Sequence, residues 1–199
     1  PAGAGKSTVT KRFAKKLGLI YLDTGAMYRA VTWFLQEQKI DADNEKELIK
    51  ALTNLKIDIN LKDSGIQQVL LNGKDISKEI RSPRVTQEVS RIASKATVRQ
   101  KITAQQKLIG LKGGIVAEGR DIGSTVFPDA EIKIFLTASS KERAKRRAND
   151  LANQGFRVPN LKELESQIQE RDKMDSAREI APLKKAKDAI ELVTDGMTI

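Results

Sequence analysis

The stretch Pro1-Ala2-Gly3-Ala4-Gly5-Lys6-Ser7-Thr8 decides how the rest of the chain is read. A phosphate-binding loop is a glycine, four free positions, then Gly-Lys-Ser/Thr. Gly5-Lys6-Ser7 supply the closing triplet and Pro1 to Ala4 the four free positions, so the opening glycine falls one residue ahead of Pro1. Glycines let the backbone curl until successive N–H groups point at phosphate oxygens. Lys6 adds a point charge for the outer phosphates, and the Ser7 hydroxyl suits Mg²⁺. Taken alone, the same residues also read as a glycine-rich turn before a basic helix.

Working outward, the pattern predicts a helix over Lys6 to Leu17, with Val9, Phe13 and Leu17 four residues apart and Gly18 at its C-terminal cap. Leu19 to Leu22 reads as a short buried strand. Asp23 or Thr24 caps the next helix, which carries Tyr28 and Arg29 and turns Ala30, Val31, Phe34 and Leu35 to the core. Asn44 and Glu47 have capping-box spacing ahead of a third helix running to Leu55. The period then changes: Ile57, Ile59 and Leu61 alternate with polar residues, Asp63-Ser64-Gly65 turns the chain, and Gln68 to Leu71 and Lys74 to Ile76 flank the hairpin pair Asn72-Gly73. This antiparallel meander reads as an insertion in an otherwise helix-and-strand chain.

Arg84 to Ile109 reads as mostly helical, with room for a break between Ser90 and Arg99. Ile115-Val116-Ala117 is a β-type run leading into Glu118-Gly119-Arg120-Asp121. Ile132 to Leu136 and Ile190 to Val193 are further strands. Ser139 with Glu142, and Asn160 with Glu163, predict two capped helices. The second places Arg171, Asp175 and Arg178 on one face of a continuous helix.

The chain has 199 residues, 39% hydrophobic and 31% charged, enough for one domain with a real core. No apolar run is long enough to span a membrane, and no signal-peptide pattern is present. Without cysteine there are no disulfides and no thiolate metal site, which suits a cytoplasmic location. Without histidine as well, most catalytic triads and zinc sites are excluded. Phosphoryl transfer survives, because it rests on positioning and charge stabilisation. The net charge of +10 fits nucleic acid or small polyanions, but aromatics at 4% are thin for stacking single strands.

Helices alternating with short apolar strands argue for α/β layers on a mainly parallel sheet. Asp23-Thr24-Gly25 and Glu118-Gly119-Arg120-Asp121 then stand at strand ends, where open sheets bind ligands. Arg29, Arg99, Arg120, Arg171 and Arg178 can line that crevice, and guanidinium forks match phosphate. A triphosphate loop with an arginine-rich second site points to a small-molecule kinase. Each element has a plainer reading. Arg171, Asp175 and Arg178 also fit a surface salt-bridge face, Arg143 to Arg147 a solvated helix face, Asp121 a turn cap, and Tyr28 a core residue. A nucleic-acid-binding ATPase and another P-loop kinase remain as rivals.

Four segments carry a closer resemblance: Asp23-Thr24-Gly25-Ala26-Met27-Tyr28-Arg29, Glu118-Gly119-Arg120-Asp121-Ile122-Gly123, Val126-Phe127-Pro128-Asp129-Ala130, and Arg171-Asp172 through Asp175 and Arg178 to Ala181-Pro182-Leu183. In order and spacing, over essentially the whole chain, they resemble bacterial cytidylate kinase. That family of P-loop nucleoside monophosphate kinases moves the γ-phosphoryl group of ATP to CMP or dCMP with Mg²⁺. The resemblance implies a three-layer fold around a parallel sheet, one kinase domain over 1–199, a CMP-binding insertion over 56–83 and a lid over 141–160.

By the same resemblance, Gly3, Ala4, Gly5, Lys6, Ser7 and Thr8 hold ATP, with Ser7 on Mg²⁺, and Arg143 and Arg147 contact ATP from the lid. Thr24, Tyr28 and Arg29 serve the acceptor nucleotide, and Ser90, Arg99 and Asp121 read the cytosine edge. Lys6, Arg120, Arg171 and Arg178 surround the phosphates in transfer, and Asp175 meets a sugar hydroxyl. The implied partners are ATP, CMP and dCMP, with no nucleic acid and no membrane, on a monomer unless it is fused to a second enzyme. Thr24 stands where many members have Ser, and Glu118 where some have Asp. The family's first strand, opening loop glycine and C-terminal helix are absent from these residues, as expected for a stretch of a longer chain. Some members are fused behind pantothenate synthetase.

Overall fold

The computed structural model describes residues 1–61 and 67–198; the turn expected at Asp63-Ser64-Gly65 lies outside them. Helix α1 (Lys6–Leu17) opens directly from the loop and ends before Gly18, and β1 (Ile20–Asp23) follows. Asp23 then caps α2 (Thr24–Glu37), its carboxylate accepting from the Ala26 N–H at 3.0 Å. Asn44 caps α3 (Glu45–Thr53), and its amide also donates to the Glu47 carboxylate. Such caps satisfy backbone donors that a first turn leaves unpaired.

The meander is β2 (Ile57–Leu61), β3 (Gln67–Leu71) and the two-residue β4 (Lys74–Asp75), an antiparallel sheet in that order. Asn72 and Gly73 both take positive φ, 50° and 83°, the geometry a two-residue hairpin with native twist requires. A 3-10 turn, Glu79–Arg81, leads into α4 (Pro83–Ile92) and then α5 (Ala96–Gly110). The expected long helix is thus broken at residues 93–95, between Ser90 and Arg99. Strand β5 (Ile115–Glu118) pairs parallel with β1, Asp23 opposite Glu118. A π-helical turn, Ile122–Val126, follows; nothing in the apolar pattern announces it. Strand β6 (Ile134–Thr137) pairs parallel with β7 (Ile190–Val193), and α6 (Ser140–Asn153) and α7 (Leu161–Ser176) lie between them in sequence. Ser139 and Asn160 cap these two helices as expected.

The chain divides into two compact units. Residues 1–9 with 120–199 form what we call the loop unit, and residues 10–119 the hairpin unit. Parallel strand pairs with intervening helices bear out the α/β reading. The parallel strands form two two-stranded sheets, one in each unit, and the three antiparallel strands form a third sheet in the hairpin unit.

The hairpin unit owns the larger core. Met27, Val31, Leu48, Ile57, Ile76, Ile80 and Ile102 are buried there with neighbours from α2 to α5. Burying each such side chain is worth roughly 1.5–3 kcal/mol. The core of the loop unit is Ala144, Leu151, Leu164 and Ile168 between α6 and α7.

Candidate active site

In the loop unit, Gly3 and Gly5 hold φ at 70° and 84°. A side chain at Gly3 would also press on the Arg143 backbone oxygen at 3.2 Å. Both positions therefore require glycine. Ala2 and Ala4 are buried while Gly3, Ser7 and Thr8 are exposed, so the loop is anchored on one side and open on the other. Lys6 begins α1 and its Nζ donates to the Pro1 carbonyl at 2.5 Å. No acidic side chain occupies the first turn of α1, which leaves the positive end of the helix to an anion.

Behind the loop stands Arg143, an α6 residue 8% exposed. Its Nε donates to the Ala138 carbonyl at 2.8 Å, and its Nη1 donates to the Ala2 carbonyl at 3.0 Å and to Asp172. Asp172 in turn accepts from the Ala2 N–H at 3.0 Å. One turn along, Arg146 donates to the Thr194 hydroxyl at 2.9 Å and carbonyl at 2.6 Å, with its Nη1 3.7 Å from where a Gly5 side chain would begin. Burial pulls the Arg147 guanidinium below its ordinary range, with Asp150 opposing.

A second arginine group in this unit centres on Asp175, 1% exposed. Its two oxygens accept from Arg120 Nε at 3.0 Å and from Arg178 Nη2. Burial, and after it the charge of Arg120, pulls Arg171 down to about 10, with Asp175 opposing. Two guanidinium groups held on one carboxylate, with Arg171 close enough to feel all three charges, leave net positive charge for an anion. The continuous helical face expected here is corrected. Helix α7 ends at Ser176, and Arg178 lies past its Ala177 cap. The Leu183 N–H donates to the Asp175 carbonyl at 2.8 Å, turning the chain back so that Arg178 still reaches Asp175. Asp121, 4% exposed, leads into the π-helical turn, its carbonyl accepting from Thr125 N–H at 2.8 Å.

In the hairpin unit, the candidate side chains hang from α2 and from either side of the α4–α5 break. Thr24 is 2% exposed, and its hydroxyl donates to the Glu118 carbonyl at 2.5 Å, tying the start of α2 to the end of β5. Arg29 donates to the Ile80 carbonyl at 3.1 Å and the Thr86 hydroxyl at 2.9 Å. Arg99 is buried, donates to the Ala93 carbonyl at 3.0 Å, and lies 5.3 Å from the centre of the Tyr28 ring, within cation–π range. Ser90 is buried on α4. Tyr28, Arg29 and Arg99 are thus gathered around α2, and Arg120, Arg171, Asp175 and Arg178 around α7.

Sequence reasoning missed four residues. Arg81 donates to Asp23 at 2.5 Å. Burial alone would lower the Arg81 guanidinium, but Asp23, with Tyr21 and Glu118, raises it. Thr86, Arg146 and Asp172 were missed as well. For Asp172 a signal existed. Arg143 sits beside the buried Ala144 on the apolar side of α6, and an arginine there requires a buried partner.

Among the described residues no group of three His, Cys, Asp or Glu side chains is placed to hold a metal ion. In a phosphate-loop site Mg²⁺ is held by phosphate oxygens, water, the loop hydroxyl and a carboxylate; Ser7, exposed in the first turn of α1, can supply the hydroxyl. No helix among the described residues is long and apolar enough to cross a membrane.

The family model described as cytidylate kinase matches residues 1–199. The chain is 67% identical over 199 residues to a protein of Prochlorococcus marinus named bifunctional pantoate ligase/cytidylate kinase, covering all of this chain and 38% of that protein. Proteins of the same name from a second strain of P. marinus (MIT 9313) and from Synechococcus sp. (strain CC9605) are 59% and 58% identical over the whole chain, which covers 39% and 42% of their lengths. The chain thus spans about two fifths of the curated relatives it matches. By that match over its whole length, the chain belongs to the cytidylate kinase family, P-loop enzymes of the α/β class.

Proposed function

We propose that this chain transfers the γ-phosphoryl group of ATP to CMP or dCMP, giving ADP and CDP or dCDP, in the cytoplasm. The observation that supports the reading is what each unit carries. One has a glycine-bent phosphate loop with Lys6 at a helix start, and the other gathers Tyr28, Arg29 and Arg99 around α2. Gly3 to Thr8 receive the ATP phosphates, with Lys6 on the outer ones and Arg147 near the nucleotide. Ser7 would hold Mg²⁺, which spreads the charge of the β- and γ-phosphate oxygens when bound.

Thr24, Tyr28 and Arg29 serve the acceptor nucleotide, with Arg29 on the CMP phosphate, and Ser90, Arg99 and Asp121 meet the cytosine edge. An exocyclic amine beside a ring carbonyl needs acceptors as well as donors, and Asp, Ser and Arg supply both. Asp175 meets the sugar, while Arg120, Arg171 and Arg178 neutralise the migrating phosphoryl group. No general base is required, because a phosphate monoester is largely ionised at neutral pH. Residues 56–83 act as the acceptor insertion and 141–160 as the lid of one kinase domain. The test is a coupled assay with ATP and each of CMP, dCMP, UMP, dTMP, AMP and GMP. CMP and dCMP should exceed the others in kcat/KM by about a hundredfold or more. Equal use of UMP would end the cytosine reading.

A further inference from the structure

We infer that Asp172, acting with Arg143, is a positioning residue for the phosphate loop: the pair fixes both peptide groups of Ala2 and thereby aims the Gly3 N–H. This rests on the reading of the loop as the ATP site. Nothing in the motif assigns Asp172 a role, and Arg143 is expected there as a direct ATP contact.

The argument is geometric. The Ala2 N–H donates to Asp172 Oδ1 at 3.0 Å, and the Ala2 carbonyl accepts from Arg143 Nη1 at 3.0 Å. The peptide unit before Ala2 and the one after it are therefore each held by a charged partner, and Arg143 is joined to Asp172 Oδ2. A peptide unit is planar and trans, so its C=O and N–H point opposite ways. With the Ala2 carbonyl drawn to Arg143, the Gly3 N–H of the same unit points away from it. Gly3, at φ 70° and with Arg143 3.2 Å from where a side chain would start, has no room to relax towards the pair. A third bond, from Arg143 Nε to the Ala138 carbonyl at 2.8 Å, fixes the guanidinium plane to the end of β6. Arg143 is 8% exposed with these bonds to protein groups, which makes it a backing for the loop. Loop donors help only if they are already aimed when the phosphate arrives. Asp172 and Arg143 supply that aim with charge-assisted bonds, the stronger kind.

The test compares steady-state kinetics for both substrates in the complete gene product. Asp172→Asn keeps an acceptor for the Ala2 N–H but sets an amide against Arg143. The double variant Arg143→Met/Asp172→Leu removes the clamp without leaving a buried charge unpaired, so it remains informative if Asp172→Ala does not fold. We expect KM for ATP to rise roughly tenfold to a hundredfold in the double variant, less in Asp172→Asn, with KM for CMP within about twofold of wild type. Arg143→Lys should recover part of the loss that Arg143→Met causes. Unchanged KM for ATP in the double variant overturns the proposal, as does an equal rise for both substrates, the mark of a merely structural pair. Lys6→Met separates the two claims. If it too leaves ATP binding unchanged, the loop is not the ATP site; if it abolishes ATP binding while the double variant is normal, only the clamp is wrong.

Discussion

The two units hold their functional side chains by different means. In the hairpin unit, Tyr28 and Arg29 ride on α2, whose other positions, Met27, Ala30 and Val31, are fully buried in the large core. Packing fixes the helix, and neutral oxygens of Ile80, Thr86 and Ala93 then orient the arginines. In the loop unit the core is small, and carboxylates do the orienting: Asp172 for Arg143, Asp175 for Arg120 and Arg178. Partially buried ion pairs add little net stability but fix direction, and removing one partner costs much more than the pair contributes. The loop unit therefore trades stability for geometry around charge. The hairpin unit keeps a rigid helix face instead.

The comparison breaks most visibly at Asp121, which is proposed to meet the cytosine edge yet belongs to the loop unit. Asp121→Ala should raise KM for CMP about a hundredfold while KM for ATP stays within about twofold, because a site built around a hydrogen-bonding edge loses most when a buried partner is missing. Matched loss for both nucleotides would make Asp121 a structural residue only.

What could be foreseen tracks the same contrast. Helix and strand identities follow from local periodicity and from caps such as Asp23, Asn44, Ser139 and Asn160, each acting over three residues. The α4–α5 break was foreseen only as a possibility. The 3-10 turn at Glu79–Arg81 and the π turn at Ile122–Val126 are backbone solutions without a side-chain period, so nothing local announces them. Arg29 and Asp175 were legible because they fall in long motifs. The pairings of Arg29 with Thr86, 57 residues away, and of Asp172 with Ala2, 170 residues away, were not. Through-space pairing of charges has no spacing rule to read.

A pH dependence sharpens the contrast. The Arg171 guanidinium, lowered to about 10 by burial and by Arg120, binds a phosphate only when charged. Its share of phosphate affinity should be full below about pH 9 and fall as pH rises through about 10. The sign for stability is the reverse. The unfolded chain keeps this proton to higher pH, so the folding cost of the buried charge shrinks as pH climbs past 10. CMP binding followed from about pH 8 to about pH 10.5 should lose affinity more steeply in wild type than in Arg171→Met; parallel curves would remove Arg171 from the site.

A smaller effect is expected at Thr86, which accepts from Arg29 and donates to the Ser82 carbonyl at 3.0 Å. Thr86→Val should raise KM for CMP by about threefold to tenfold, with Thr86→Ser close to wild type, the loss of one hydrogen bond to a charged group. In an Arg29→Met background Thr86→Val should have no effect on CMP, and an undiminished effect there would separate the two residues.

The division of labour itself is tested most directly by equilibrium binding of ATP alone and of CMP alone to two variants, Lys6→Met and Arg29→Met. A crossed pattern is predicted: Lys6→Met loses ATP affinity by about tenfold or more and keeps CMP, and Arg29→Met does the opposite. If both variants lose the same nucleotide, or each loses both equally, the assignment of the donor to Lys6 and of the acceptor to Arg29 is wrong.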